Sequence, residues 1–307
     1  MTPLLWMALL AGSALAMLAA PFVPAWREWA RPTDHGPLRV DADYVNRVDH
    51  FARELRESVR AGSYQARPGA PVYAEGDFTL AEGGRLAAVL ATGDLVLGPG
   101  SEVQQWAHAD GTIRMARHGI ALRRMSAGVA IELAPDCTFE RLNAPLVTFG
   151  SQELAPPARD EADLKDRDLA ELHGCRAMAP GWYRVDGHVV LPPGARYRGS
   201  LVVTGALSVG ERSVIHGDVK ARSGVVVGAG ASVLGTVACE RSIHILRGAL
   251  VRGPVISESD VVLSAGAVVG TPEAPTTITA ENIMVASGAR AHGTVWAREL
   301  GVVWAET

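Results

Sequence analysis

The sequence predicts an all-β chain dominated by a three-sided β-helix, a solenoid of 18-residue coils, preceded by a transmembrane helix, a short amphipathic helix and a second β-rich module. Three observations carry this. Gly181, Gly199, Gly217, Gly235 and Gly253 fall at intervals of 18. Two apolar columns keep the same interval: Val189, Leu207, Val225, Ile243 and Val261, and Leu191, Val209, Val227, Ile245 and Leu263. Inside the 18 runs a period of six, along Leu191, Tyr197, Val203, Val209, Ile215, Ala221, Val227 and Val233, each preceded two positions earlier by another small or apolar residue. Self-similarity at a fixed period is the signature of a stacked repeat.

Residues 1–30 form the first element. Pro3 to Trp26 is a run of 24 uncharged residues, which as a helix spans about 36 Å, enough to cross a bilayer with slight tilt. Ala16, Ala19 and Ala20 offer signal-peptidase sites, but no Lys or Arg precedes the run. Arg27 and Arg31 follow it instead, and Trp6, Trp26 and Trp29 stand near its two ends as interfacial anchors. This reads as a retained single-pass anchor with residues 3–26 in the membrane and the body on the cytoplasmic side. In residues 31–71, Val45, Val48, Phe51 or Ala52, Leu55 and Val59 recur at three- and four-residue steps among charges. That stripe predicts a short amphipathic helix packed on the following domain.

Residues 72–150 carry a weaker hexad. Leu97, Val103, Ala109, Met115, Ala121, Ala127, Leu133 and Phe139 are six apart, with Leu95, Ser101, Ala107, Ile113, Met125, Ile131 and Cys137 two residues before most of them; Ile120 and Leu122 do not fit. A solenoid-like module is expected. Residues 151–180 read as a charged connector with a short helix around Asp160 to Leu172. Residues 181–307 are the main array. Two inward side chains per hexad and three hexads per coil define its core, and Gly199, Gly217, Gly235 and Gly253 mark corners. A four-residue insertion at Thr271–Thr277 breaks the register once, after which Ile283 and Val285 resume it. One coil cannot stand alone; stacking supplies the stability.

Composition narrows the function. Aromatic residues are 6% of the 307, and 33 acidic against 29 basic residues leave a net charge of −4 with no basic cluster, so no nucleic-acid partner is expected. Cys137, Cys175 and Cys239 lie far apart without metal-ligand spacing. No phosphate-binding, dinucleotide or GxSxG motif is present, so neither a cofactor nor a metal site is expected.

The stretch Gly199 to Val303 contains His216-Gly217-Asp218-Val219-Lys220-Ala221, the corner pairs Gly230-Ala231 and Gly248-Ala249, and the terminal His292-Gly293-Thr294-Val295. Over roughly residues 181–303 it resembles the bactofilins, bacterial polymer-forming cytoskeletal proteins. The resemblance implies a compact β-helix that assembles end to end without nucleotide at the inner face of the cytoplasmic membrane. It therefore implies a homo-oligomer or polymer, with the apolar tail Val302, Val303 and Trp304 as a candidate for self-association. The extra module is a departure from the family that could block one end.

Two alternatives share the coil. A periplasmic β-solenoid envelope component is one. The other is a hexapeptide-repeat acyltransferase, which would need a catalytic His near an extended loop. His216, His244 and His292 are its candidates, but the insertion 271–277 contains no His, Lys or Arg. His188, His216 and His244 are each 28 apart, not a whole number of coils, so they are not expected to stack. No catalytic residue is assigned and the chain is read as non-enzymatic.

Overall fold

The computed structural model describes residues 3–30, 49–67, 69–150 and 164–305. The chain divides into two compact units, Met1–Arg47 and Val48–Thr307. In the first, helix Pro3–Ala19 continues through a 3₁₀ turn, Ala20–Phe22, into helix Val23–Ala30. The stretch Leu5–Phe22 is long and apolar enough to cross a membrane. Arg31, Val45 and Val48 lie outside the described residues.

The second unit is a β-solenoid of about 12 turns. Val189 pairs with Leu207, Leu207 with Val225, Val225 with Ile243 and Ile243 with Val261, all in parallel, so each strand lies against the one 18 residues on. Two further strand columns repeat this offset, through Tyr197 with Ile215 and Leu201 with Val219. All twelve core positions named from the repeat are buried, from Val189 at 7% exposure to Ile283 and Val285 at 0%. After the insertion the offset becomes 22, Val261 pairing with Ile283. The glycine column has a steric cause: a Cβ on Gly235 would stand 2.5 Å from the carbonyl oxygen of Gly217, and one on Gly253 2.5 Å from that of Gly235. Coils approach too closely there for any side chain.

The module at 72–150 is a solenoid of the same kind. Its strands pair in parallel at offsets of 17, as Val72 with Val89, and 18, as Leu95 with Ile113. Every member of its hexad from Leu97 to Phe139 is buried. Ile120 and Leu122, which broke the pattern, point outward at 36% and 38% exposure. They interrupt the spacing without entering the core.

The two arrays meet at their C-terminal coils. Strand Thr138–Phe149 runs antiparallel to strand Arg290–Trp304, pairing Thr138 with Val302, Leu142 with Val295 and Thr148 with Arg290. One hydrophobic core runs through both arrays, from Val89 to Val303. The chain leaves this junction at Gly150 and re-enters the ladder at Lys165, at the opposite end of the second array, where Lys165–Arg167 pairs with Ala195–Tyr197. The second array therefore begins earlier than its repeat. Of the helix expected around Asp160–Leu172, the described part holds only a 3₁₀ turn, Leu169–Glu171, after strand Lys165–Arg167. The Lys165 strand is held by the ladder of the next coil, which overrides local preference.

Candidate functional site

A solenoid is finished along its length and unfinished at its ends, where strand edges and core side chains need cover. Two arrays have four ends between them. Two are spent on each other at the junction. Val303 is fully buried there, its N–H donating to the Cys137 carbonyl at 3.0 Å and its own carbonyl accepting from Asp136 N–H at 2.8 Å. Trp304 O accepts from Ser287 N–H at 3.0 Å, and Val302 lies opposite Thr138. The tail Val302–Trp304, expected to be offered for self-association, is thus engaged within the chain, because the first array supplies the antiparallel strand that covers it. Asn143 Nδ2 donates to Thr294 Oγ1 at 2.7 Å, and the Arg141 guanidinium sits 5.0 Å over the Trp296 ring. These polar and cation–π contacts ring the seam.

The far end of the second array is plugged. Leu169 is fully buried on the first coil, with Leu172, Cys175 and Tyr183 packed beside it. Asp168 caps the plug's turn by accepting from Ala170 N–H at 2.9 Å. Strand Cys175–Ala179 pairs antiparallel with Trp182–Val185, which in turn joins the ladder at Ser200–Val203; Arg176–Ala179 stay exposed. The near end is the start of the first array. Strands β1 (Val72–Ala74) and β2 (Phe78–Leu80) pair only with the next coil, at Val89–Ala91 and Leu95–Leu97. Val72, Ala74, Phe78, Leu80 and Leu86 face the core yet stay half-buried, whereas Val89, Leu95 and Leu97 one coil on are 0% exposed.

Beside that end, helix His50–Arg60 lies on an outer face of the first array. Ala52 and Leu55 pack against Ala88, Leu90 and Trp106, with Val59 joining them. Of the described members of the expected stripe, Ala52 and Leu55 are buried and Val59 partly so, while Phe51, the alternative to Ala52, is 43% exposed and stacks on Trp106 at 6.2 Å. A polar chain pins the helix: Arg56 donates to Asp110 at 2.7 and 2.9 Å, Asp110 lies 3.2 Å from His108 Nε2, and His108 Nδ1 lies 2.8 Å from Ser126 Oγ. Ser126, His108 and Asp110 have the residue types of a hydrolase triad. Ser126 is 3% exposed and His108 9%, with the helix packed over them, so the arrangement fastens the helix and presents no nucleophile. No local pattern announces it; Ser126 and His108 meet because they are 18 apart.

The histidines weighed for transfer chemistry stand apart. His216 is the exposed last residue of the otherwise buried strand Val214–His216, His244 continues the outward row of Val226, and His292 Nδ1 lies 3.0 Å from the Pro145 carbonyl at the junction. His188 Nδ1 accepts from Ala206 N–H at 3.0 Å. His188 and His244 share a shallow depression of about 270 Å³ floored by Val190 and Val226. Among the described residues no group of three His, Cys, Asp or Glu is placed to hold a metal. The thiols are held protonated: burial pushes Cys137 up to about 11 and raises Cys175 and Cys239 as well. Asp218 accepts from Thr236 N–H at 2.7 Å and so ties one coil to the next, as Asp94 does for Thr112 at 2.8 Å. An acidic residue at a corner, 18 before a free N–H, was the signal for it.

The fold defines a β-solenoid protein whose two outer ends, among the described residues, keep strands paired on one side only. No family model, no curated protein and no solved structure matches the chain.

Proposed function

We propose that the chain is a membrane-anchored, bactofilin-like structural scaffold, non-enzymatic, that self-associates through an end of its β-solenoid. One observation carries the reading: the coil Val72–Leu86 leaves core-facing side chains partly exposed and two strands unpaired on their outer edge, a surface that gains stability when covered. The long parallel ladder behind it makes a stiff rod suited to bearing or spacing partners. The apolar helix around Leu5–Phe22 supplies the anchor, and Arg27 directly after it favours a bacterial inner membrane with the body on the cytoplasmic side.

The test is fractionation of cells expressing the full chain, followed by sedimentation of the detergent-purified protein. The reading expects recovery with the inner membrane and a species heavier than one protomer. A strictly monomeric protein that turns over an acyl donor would replace it with the hexapeptide-transferase reading. Export of the body in a phosphatase-fusion assay would favour the envelope component.

A further inference from the structure

We propose that one flank of the second array, the outward row Arg196, Val214, Ser232, Leu250, Val268 and Arg290, is a docking surface for residues 151–163 of the same chain. The six lie opposite one another on successive coils. Each alternates with inward neighbours such as Ala195 and Tyr197, so each points away from the core. An outward row meets water unless something lies on it. Val214 is nevertheless 5% exposed and Ser232 3%. The outward rows of the other two strand columns, Ser208, Val226, His244, Val262 and Met284 on one and Val202, Lys220, Ala238 and Ile256 on the other, hold no buried member. The corner leading into the flank repeats the contrast. Glu211 and Arg247 are exposed there, while Ala265 at the equivalent position is 2% exposed. Among the described elements, substantial contacts with strands Val214–His216 and Ser232–Val233 come from the adjacent coils of the ladder.

The connectivity of the chain supplies the cover. Gly288 donates its N–H to the Phe149 carbonyl at 2.6 Å, and Lys165 donates its own to the Gly194 carbonyl at 3.1 Å. Gly194 and Gly288 occupy the same corner of the repeat, so the chain leaves and re-enters the ladder on one corner. Seven ladder steps separate the two points, a distance of about 34 Å at ~4.8 Å a step. Residues 151–164 reach about 50 Å when extended. Circling the tube once would add the perimeter of a coil, roughly 60 Å, so the segment has to pass along this corner. Chemistry matches the path. Spread evenly, about two residues pass each coil, which sets Glu153 beside Arg290, Leu154–Pro157 over Val268 and Leu250, and Asp160, Glu161 and Asp163 over Val214 and Arg196. Aliphatic and proline side chains thus meet the apolar part of the row. Four acidic residues against Arg159 alone meet a flank and corner carrying Arg196, Arg212, Arg247 and Arg290 against Glu211. Arg196 also bonds Asp166 at 3.1 Å, which places one acidic residue of the same stretch there already. Pro156 and Pro157 favour an extended backbone. The contact is internal to one chain and holds whether or not chains associate; a partner approaching the rod sideways then meets the other two strand columns.

The experiment measures maleimide labelling of the full chain in detergent, read by peptide mass at the substituted position, for Ser232→Cys on this flank and Ser208→Cys on the neighbouring one. Labelling at 232 is expected to be at least about tenfold slower, since a covered thiol reacts only through local opening. Replacing residues 151–163 by a longer Gly–Ser stretch is expected to bring position 232 up to the rate of position 208, in protein that keeps its β-sheet circular dichroism. Equal rates with the natural segment overturn the proposal, because the flank is then open. Slow labelling at 232 with either segment also overturns it, because the row then buries itself. A second measurement keeps the natural segment: Ala158→Cys with Ser232→Cys is expected to be bridged within one chain by a short bismaleimide, and Ala158→Cys with Ser208→Cys is not. Any other pattern contradicts the docking.

Discussion

At the residue scale, the core tolerates apolar volume and little else. Val227 is fully exposed to its neighbours above and below, Val209 and Ile245, and to no water. Val227→Asp or Ile245→Asp buries a carboxylate without a partner and costs on the order of 4 kcal/mol, a large share of a domain's stability. The expected readout is loss of the cooperative thermal transition; an unchanged melting curve would deny that these columns face inward. Tyr197 gives the opposite sign. Its side chain is buried and, among the described residues, its hydroxyl has no hydrogen-bond partner. Tyr197→Phe removes an unsatisfied polar group, so denaturant unfolding should show stability held or raised by about 1 kcal/mol. A clear loss would mean that the hydroxyl is bonded.

At the element scale, the helix His50–Arg60 is tied to the array through one titrating group. Burial lowers the pKa of His108 below its ordinary 6.5, the largest effect; the hydrogen bond that its ring donates to Asp110 opposes it, and Arg56 and Asp49 act on it through their charges. A depressed folded pKa means that the contribution is fully present above 6.5 and is lost as pH falls through the folded value. The melting temperature should therefore drop between pH 7.5 and pH 5.5, and His108→Gln should flatten part of that slope. Equal slopes in the two proteins would remove His108 from the contact. The helix itself was legible, since Ala52, Leu55 and Val59 repeat at helical spacing. Its fastening was not, because His108, Asp110 and Ser126 read as ordinary polar residues until coil stacking sets them side by side.

At the scale of the whole molecule, most of the solenoid could be read from the chain because each coil obeys the same local rule: two inward side chains per six residues, with glycine where coils nearly touch. Even the weaker hexad of the first array marked its buried columns. What escaped depends on contacts with no period. Phe139 packs on Phe149 and under Gly301, and Asn143 meets Thr294 across 151 positions of sequence. Nothing local distinguishes those residues from others on the same strands. Leu169 escaped likewise, since nothing local sets it apart from Leu164 and Leu172 in the same charged stretch. The consequence is topological: the tail that the repeat offers as a free end pairs with the chain's own first array, and the outer strands lie at the starts of the two arrays instead.

That junction is the point on which the account turns, and a disulfide placed across it tests it most directly. Asn143→Cys with Thr294→Cys puts two thiols on facing strands whose side chains are already in contact at 2.7 Å. Mild oxidation is expected to give an intrachain bridge, seen as a faster-migrating monomer on non-reducing gels and absent from either single variant. Disulfide-linked dimers and longer ladders in its place would show the two C-terminal coils meeting between molecules, and a chain built as one closed rod would be ruled out.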